Sequence, residues 1–160
     1  MLIILEGIDG AGKTTWIKKN YPDAIVLKED TNSEEWKIAI DDENIGAMLA
    51  LRLHVQFYEK RLKKSLDAGS EVVIDRFWPS TLAYQKINTA AFLKEFHDHL
   101  DFLISVPHKV ILIDTPQGTC LKRIESRGEA LPNLSTLKKV RNKYLKLAKK
   151  FNWEIIRGCN

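Results

Sequence analysis

Short apolar runs alternate along the chain with longer stretches in which apolar residues recur every three or four positions. Leu2–Leu5, Ala24–Leu27, Val72–Ile74, Val110–Ile113 and Trp153–Ile156 are the short runs. Most are β-branched and apolar at successive positions, as strands covered on both faces of a parallel sheet are. Between them, Leu51, Val55, Tyr58, Leu62 and Leu66 share one helical face, in a long third helix expected from about Glu43 to Leu66. Leu134, Leu137, Val140, Tyr144, Ala148 and Phe151 form a second stripe. Thr115 and Pro116 predict a helix start, with Thr115 as cap and Pro116 as first helical residue, and Gly128 predicts its stop. Strands alternating with helices predict an α/β fold: a five-stranded parallel sheet with helices on both faces, joined by right-handed crossovers. Functional residues are then expected just beyond the carboxyl ends of the strands.

The 160 residues, 44% of them hydrophobic and 29% charged, suit one domain spanning residues 1–160 and exclude a disordered or collagen-like chain. No apolar run approaches the ~18 residues of a membrane span. The first apolar run is too short for a secretory leader and has no basic segment before it. The two cysteines, Cys120 and Cys159, follow no disulfide or zinc pattern, so a cytoplasmic protein is expected. His54, His97, His99 and His108 show no metal-ligand spacing, and no pair of acids suggests glycosidase chemistry. The net charge of +4 suits an anionic ligand without demanding nucleic acid. The seven basic residues between Lys138 and Lys150 accompany an apolar stripe, so they are expected to be a solvated helix face.

The first apolar run leads into Gly7-Ile8-Asp9-Gly10-Ala11-Gly12-Lys13-Thr14-Thr15, which matches the phosphate-binding pattern G-x-x-x-x-G-K-[ST]. Its four fixed positions recur by chance on the order of once in 10⁴ to 10⁵ starts, and the match lies between a strand and a helix, where that loop belongs. Gly7, Gly10 and Gly12 let the backbone turn so that successive N–H groups converge on an anion. The helix starting near Lys13 turns its positive end to the same point. Lys13 is expected on the β- and γ-phosphates of a triphosphate, and Thr14 on Mg²⁺.

The stretch Leu5-Glu6-Gly7 to Thr15 resembles the opening of thymidylate kinases. Asp75-Arg76-Phe77 followed by Ser80-Thr81-Leu82-Ala83-Tyr84-Gln85 resembles that family's Asp-Arg-aromatic motif and its downstream Ala-Tyr-Gln. Pro116, Leu121, Arg123-Ile124 and Arg127-Gly128 are similar to the helix that enters its lid, and Tyr144 to Ala148 to its last helix. The resemblance implies a three-layer P-loop fold with a small lid at about 123–135. It also implies an ATP- and Mg²⁺-dependent phosphotransferase acting on a deoxynucleoside monophosphate. Asp9, a carboxylate out of place beside a triphosphate, is implied to hydrogen-bond the acceptor's sugar. A homodimer through the long third helix is also implied.

Chemistry gives the flanking residues expected roles. Arg76 is suited to clamp a phosphate bidentately, and Asp75 to hold Mg²⁺ through water or accept a proton. Arg123 and Arg127, four apart, are expected on one helix face, placing positive charge on the transferring group when a lid closes. Phe77 and Trp78 are expected either to stack on a base or to pack in the core. The chain departs from thymidylate kinases in two places. Lys28-Glu29-Asp30-Thr31-Asn32 stands where they carry Arg-Glu-Pro-Gly-Gly, and His54 falls where they carry an Arg that holds the acceptor phosphate. Arg52 lies two residues from it. Glu29 with Trp36 is similar to deoxynucleoside kinases, in which such a Glu is the base on a sugar hydroxyl. Asp9, Glu29, Arg52, His54, Arg76, Phe77 and Trp78 are thus the expected acceptor site. Two alternatives stand beside it: a hydroxyl acceptor, on a deoxynucleoside or a hydroxymethylated base in DNA, and a nucleotide-dependent binding switch.

Overall fold

The computed structural model describes residues 1–42, 45–85 and 107–158, so Glu43, His97, His99 and Cys159 lie outside the described residues. The chain runs β1 (Leu2–Glu6), α1 (Lys13–Asn20), β2 (Ile25–Leu27), α2 (Glu34–Asp41), α3 (Gly46–Phe57), a π-helical turn (Tyr58–Leu62), α4 (Lys63–Asp67), β3 (Val72–Asp75) and α5 (Trp78–Tyr84). After the undescribed stretch come β4 (His108–Asp114), α6 (Gln117–Ser126), α7 (Leu134–Phe151) and β5 (Glu154–Arg157). Among the described residues the five strands form one parallel sheet in the order β2-β3-β1-β4-β5. Asp75 ends β3 beside Leu5, and Glu6 ends β1 beside Leu112. Those ends therefore share one edge of the sheet, which carries the phosphate loop.

The expectation that most strands are covered on both faces holds for β1, β3 and β4 and fails at the rims. β1 is buried throughout, as are Val72–Ile74 of β3 and Val110–Ile113 of β4. In the edge strands Ile25, Val26 and Ile155 are 40%, 49% and 45% exposed. An edge strand has a neighbour on one side only, so less of the layer covers it. The main core runs through the sheet to Ile8, Leu62, Cys120, Leu137 and Tyr144. A smaller cluster of Trp36, Ala39, Ala50 and Leu53 joins α2 to α3. It fixes where Trp36 hangs beside the sheet edge.

Local chemistry sets the helix ends. Ser33 accepts the Trp36 N–H at 3.3 Å to cap α2, with Glu34 and Glu35 in the favourable first turn. The expected third helix is present from Gly46, but its middle widens into the π-helical turn. Gly128, at φ 69, follows α6 and donates its N–H to Glu125 O, as a helix stop does. Thr115 is a correction: it does not cap α6. Its hydroxyl donates at 2.8 Å to the Ala11 carbonyl in the phosphate loop, and Pro116 occupies the cap position. Among the described residues no helix is long and apolar enough to cross a membrane.

The burial contrast is testable by urea unfolding. Ile74→Ala, at a fully buried position, is expected to cost about 2–5 kcal/mol. Ile155→Ala on the rim should cost about 1 kcal/mol or less. Equal losses would contradict this layering.

Candidate active site

The phosphate loop is held from outside through its carbonyls. Arg123 Nη1 donates to Gly10 O at 3.2 Å and to Ala11 O at 3.3 Å, while Thr115 donates to Ala11 O. Lys13 Nζ donates back to Gly7 O at 3.3 Å. Among the described residues no backbone bond takes the N–H of Gly10, Gly12, Lys13 or Thr14. These donors are left to a ligand, and α1 begins at the same place. Gly10, at φ 76, has no substitute: a Cβ there would come within 2.5 Å of the Cys120 carbonyl oxygen. Thr14 and Thr15 are exposed in the first turn of α1.

Lys13 is buried, and burial together with the charge of Arg76 lowers its pKa to about 8, against the pull of Asp75, Asp9 and Glu6. Its Nζ lies 3.8 Å from Asp75 Oδ1, too far for a hydrogen bond. Asp75 Oδ1 is buried and has no hydrogen-bond partner among the described residues, with only the Lys13 ammonium near it. A buried carboxylate oxygen that accepts no hydrogen bond suits a cation beside the loop.

After Asp75 the chain turns sharply. Arg76 sits at φ 70, a left-handed conformation costing about 1–3 kcal/mol in a non-glycine residue. Its N–H donates to Leu5 O at 3.0 Å. The next residue is clamped by a buried carboxylate: Glu6 Oε1 accepts the Phe77 N–H at 2.9 Å, and Oε2 accepts the hydroxyls of Ser80 and Tyr144 at 2.7 and 2.8 Å. Burial raises the Glu6 pKa, and the Phe77, Ser80, Arg76 and Tyr144 groups oppose that rise. The Arg76 guanidinium reaches Asp9 Oδ1 at 2.8 Å and lies over the Tyr84 ring, 4.8 Å from its centroid. Burial works against its charge, but Tyr144, Tyr84, Asp9 and Glu6 outweigh that and raise its pKa.

A cavity of about 250 Å³ opens beside this turn, lined among others by Asp9, Glu29, Trp36, His54, Asp75, Arg76, Phe77, Thr81, Tyr84 and Gln85. His54 is fully buried at its floor. Nδ1 lies 2.8 Å from Glu29 Oε1 and Nε2 lies 2.9 Å from Thr81 Oγ1. Trp36 and Phe77 meet the imidazole edge-on, at 5.2 and 4.8 Å between centroids.

The structure thus gathers Lys13, Asp9, Glu29, His54, Asp75, Arg76 and Phe77 at one edge, with Arg123 on the loop. Three expected residues are not gathered. Arg52 is exposed and does not line the cavity, because two residues along a helix lead away from the face of His54. Trp78 packs against Phe151 and Trp153, at 6.0 Å from each ring, and so takes the core alternative. Arg127 lies beyond the end of α6, exposed and paired with Glu129, so it does not share a helical face with Arg123. Thr81, Tyr84, Gln85 and Glu6 carried no assigned role. The first three recur after Phe77 at spacings of four, three and one on α5 and its cap, a signal for one shared face.

A glycine-rich loop at a helix start, an adjacent lysine and a cavity sharing the same sheet edge define a P-loop phosphotransferase. The family model described as thymidylate kinase matches residues 26–158, and the chain belongs to that family. The probable thymidylate kinase of Thermococcus onnurineus is 34% identical, over 94% of this chain and 85% of that protein. That of Methanocaldococcus jannaschii is 32% identical, over 98% and 86%. A solved structure of deoxyadenosine kinase from M. mycoides, with products dCMP and a flexible dCDP bound, shares the fold. Its TM-score is 0.59 at 17% identity, covering 98% of this chain and 89% of that one. The protein is accordingly a nucleotide kinase that uses a nucleoside triphosphate.

The lowered Lys13 pKa has a measurable sign. Below about pH 8 the empty site carries the ammonium; above it the site is mostly neutral. A bound polyanion raises that pKa again, so binding above this pH takes up a proton and weakens as pH rises. Calorimetry of ATP binding in two buffers of different ionisation enthalpy, just above that pH, should read proton uptake in the wild type and none in Lys13→Ala.

Proposed function

We propose that this chain transfers the γ-phosphate of ATP, with Mg²⁺ bound, to the phosphate of a deoxynucleoside monophosphate held in the cavity between Trp36 and Phe77. One observation carries the reading. Arg76 walls the cavity and also bonds Asp9 of the phosphate loop, so one guanidinium stands between donor and acceptor. A bidentate cation at that junction suits an acceptor that is itself a phosphate.

In the proposed reaction an acceptor phosphate oxygen bonds to the γ-phosphorus while the bond to the β–γ bridging oxygen breaks, and ADP leaves. Such a transfer asks the protein for alignment and positive charge more than for covalent help. Lys13 follows the charge from the γ- to the β-phosphate. Arg76 orients the acceptor phosphate and offsets its repulsion from the donor. Arg123, fixed on the loop carbonyls, adds charge on the donor side. Arg127 joins only by leaving Glu129. Asp9 and Tyr84, beside Arg76, face the acceptor's sugar. Thr14 and Asp75, whose Oδ1 accepts no hydrogen bond, would hold Mg²⁺, directly or through water; when bound, the ion would neutralise charge on the phosphate oxygens.

A second copy of the chain against α2 and α3 belongs to the same proposal. Ile38, Ile45 and Met48 are 50%, 53% and 54% exposed there, an apolar surface that association would cover.

Two measurements test this reading. Lys13→Ala should keep its circular dichroism spectrum and lose at least about two orders of magnitude in turnover; unchanged turnover contradicts it. With labelled ATP, the label should appear in nucleoside diphosphates. Label confined to nucleoside monophosphates or to hydroxymethylated DNA overturns the phosphate acceptor. For the dimer, sedimentation should give twice the chain mass, and Met48→Glu should halve it. A monomeric wild type removes the dimer alone.

A further inference from the structure

Among the described residues, the shortest side-chain bond to a phosphate-loop carbonyl comes from a residue with no part in the proposed transfer. Thr115 is buried and donates its hydroxyl to Ala11 O at 2.8 Å. Arg123 Nη1 reaches the same oxygen at 3.3 Å and divides itself between it and Gly10 O. The Ala11 carbonyl and the Gly12 N–H belong to one trans peptide plane and point in opposite directions. Holding the oxygen therefore aims the hydrogen. Unheld, that plane would turn easily, because Gly12, at φ 98, has the conformational freedom of glycine. The Gly12 N–H has no backbone partner among the described residues, and it lies at the start of α1, where a helix favours an anion.

Thr115 is itself held from its other side. β5 ends at Arg157, and the N–H of the next residue, Gly158, donates to Asp114 O at 2.9 Å. The Asp114 carboxylate is anchored in turn by Arg141 of α7. This bond lays Gly158 against Thr115 so closely that a Cβ on Gly158 would collide with Thr115 Oγ1 and come within 3.3 Å of Ala11 O. A β-branched side chain has few rotamers. With Gly158 filling the space beside it, the hydroxyl stays on Ala11 O. We infer that Thr115 is a positioning residue for the donor phosphates: it keeps the Gly12 N–H aimed at the triphosphate, and Gly158 keeps Thr115 in place. The inference rests on the nucleotide-kinase reading and names two residues, neither touching the nucleotide, on which donor binding depends.

The test is calorimetric binding of ATP with Mg²⁺ to the full chain, which needs no acceptor. Thr115→Val keeps the shape and removes the donor, and should weaken ATP about fivefold or more. Thr115→Ser keeps the donor and should stay within about twofold of the wild type. A residue that mattered only for packing would give the reverse order, since Val fills the space and Ser leaves a gap. In turnover, KM for ATP should rise by the same factor in Thr115→Val, while KM for the monophosphate acceptor stays unchanged. Gly158→Ala is the second route. It should weaken ATP in the wild type and by a smaller factor in Thr115→Ala, which has no hydroxyl there to displace. Equal affinities for the wild type and Thr115→Val, or a loss in Thr115→Ser as large as in Thr115→Val, overturn the inference and leave the kinase reading standing. Should circular dichroism show Thr115→Val unfolded, the Gly158→Ala pair decides, and an equal loss in both backgrounds overturns it. A wild type that does not bind ATP overturns the kinase reading and this inference with it.

Discussion

The binding of the phosphate-loop carbonyls by side chains is the constraint on which the site depends. A peptide plane cannot bind through its oxygen in one direction without aiming its hydrogen in the other. Arg123 and Thr115 take the Ala11 oxygen, so the Gly12 N–H of the same plane points away from them, and among the described residues the N–H groups of Gly10, Lys13 and Thr14 have no backbone partner. Both clamps come from the segment that follows β4. Asp114, at the end of β4, is in turn tied to α7 by Arg141, with bonds of 2.6 and 2.9 Å. The anion site is thus part of the packed fold, which keeps its donors oriented before any ligand arrives.

The acceptor side is fixed by a second buried device. The left-handed Arg76 would relax if nothing held its neighbour. Glu6, at the end of the central strand, grips Phe77, Ser80 and Tyr144 at once, joining β1, the turn after β3 and the last helix. Its buried charge is tolerable because three donors and the nearby guanidinium surround it. Breaking any of these contacts would let Arg76 move from the junction between loop and cavity. Donor and acceptor sites therefore meet where two strand ends lie side by side, and the parallel register of β1 with β3 sets their spacing.

Much of this was legible in the residues. The strands declare themselves because centrally placed parallel strands are apolar throughout, and the phosphate loop because its backbone demands glycine at set positions. What failed depends on distant partners. Thr115 before Pro116 looks like a helix cap; only the tertiary fold shows its hydroxyl on Ala11, 104 positions away. Trp78 follows a strand end, but nothing local tells that α5 turns it toward Phe151 and Trp153. Arg127 shares spacing with Arg123, yet its helix stops one residue too early. Arg52 and His54 are two apart, and only packing decides which faces inward. Thr81 and Gln85 were readable, being spaced along the face that Phe77 begins, but their chemistry emerges only when His54 and Glu29 arrive from other elements.

The most direct measurement is a backbone amide spectrum of the labelled protein titrated with Mg²⁺ and a nonhydrolysable ATP analogue. The N–H resonances of Gly10, Gly12, Lys13 and Thr14 should move far downfield together, as donors to charged oxygens do, while those of edge strand β5 stay in place. Resonances of that loop that stay unmoved at saturating analogue would contradict the inward-facing donors and the account built on them.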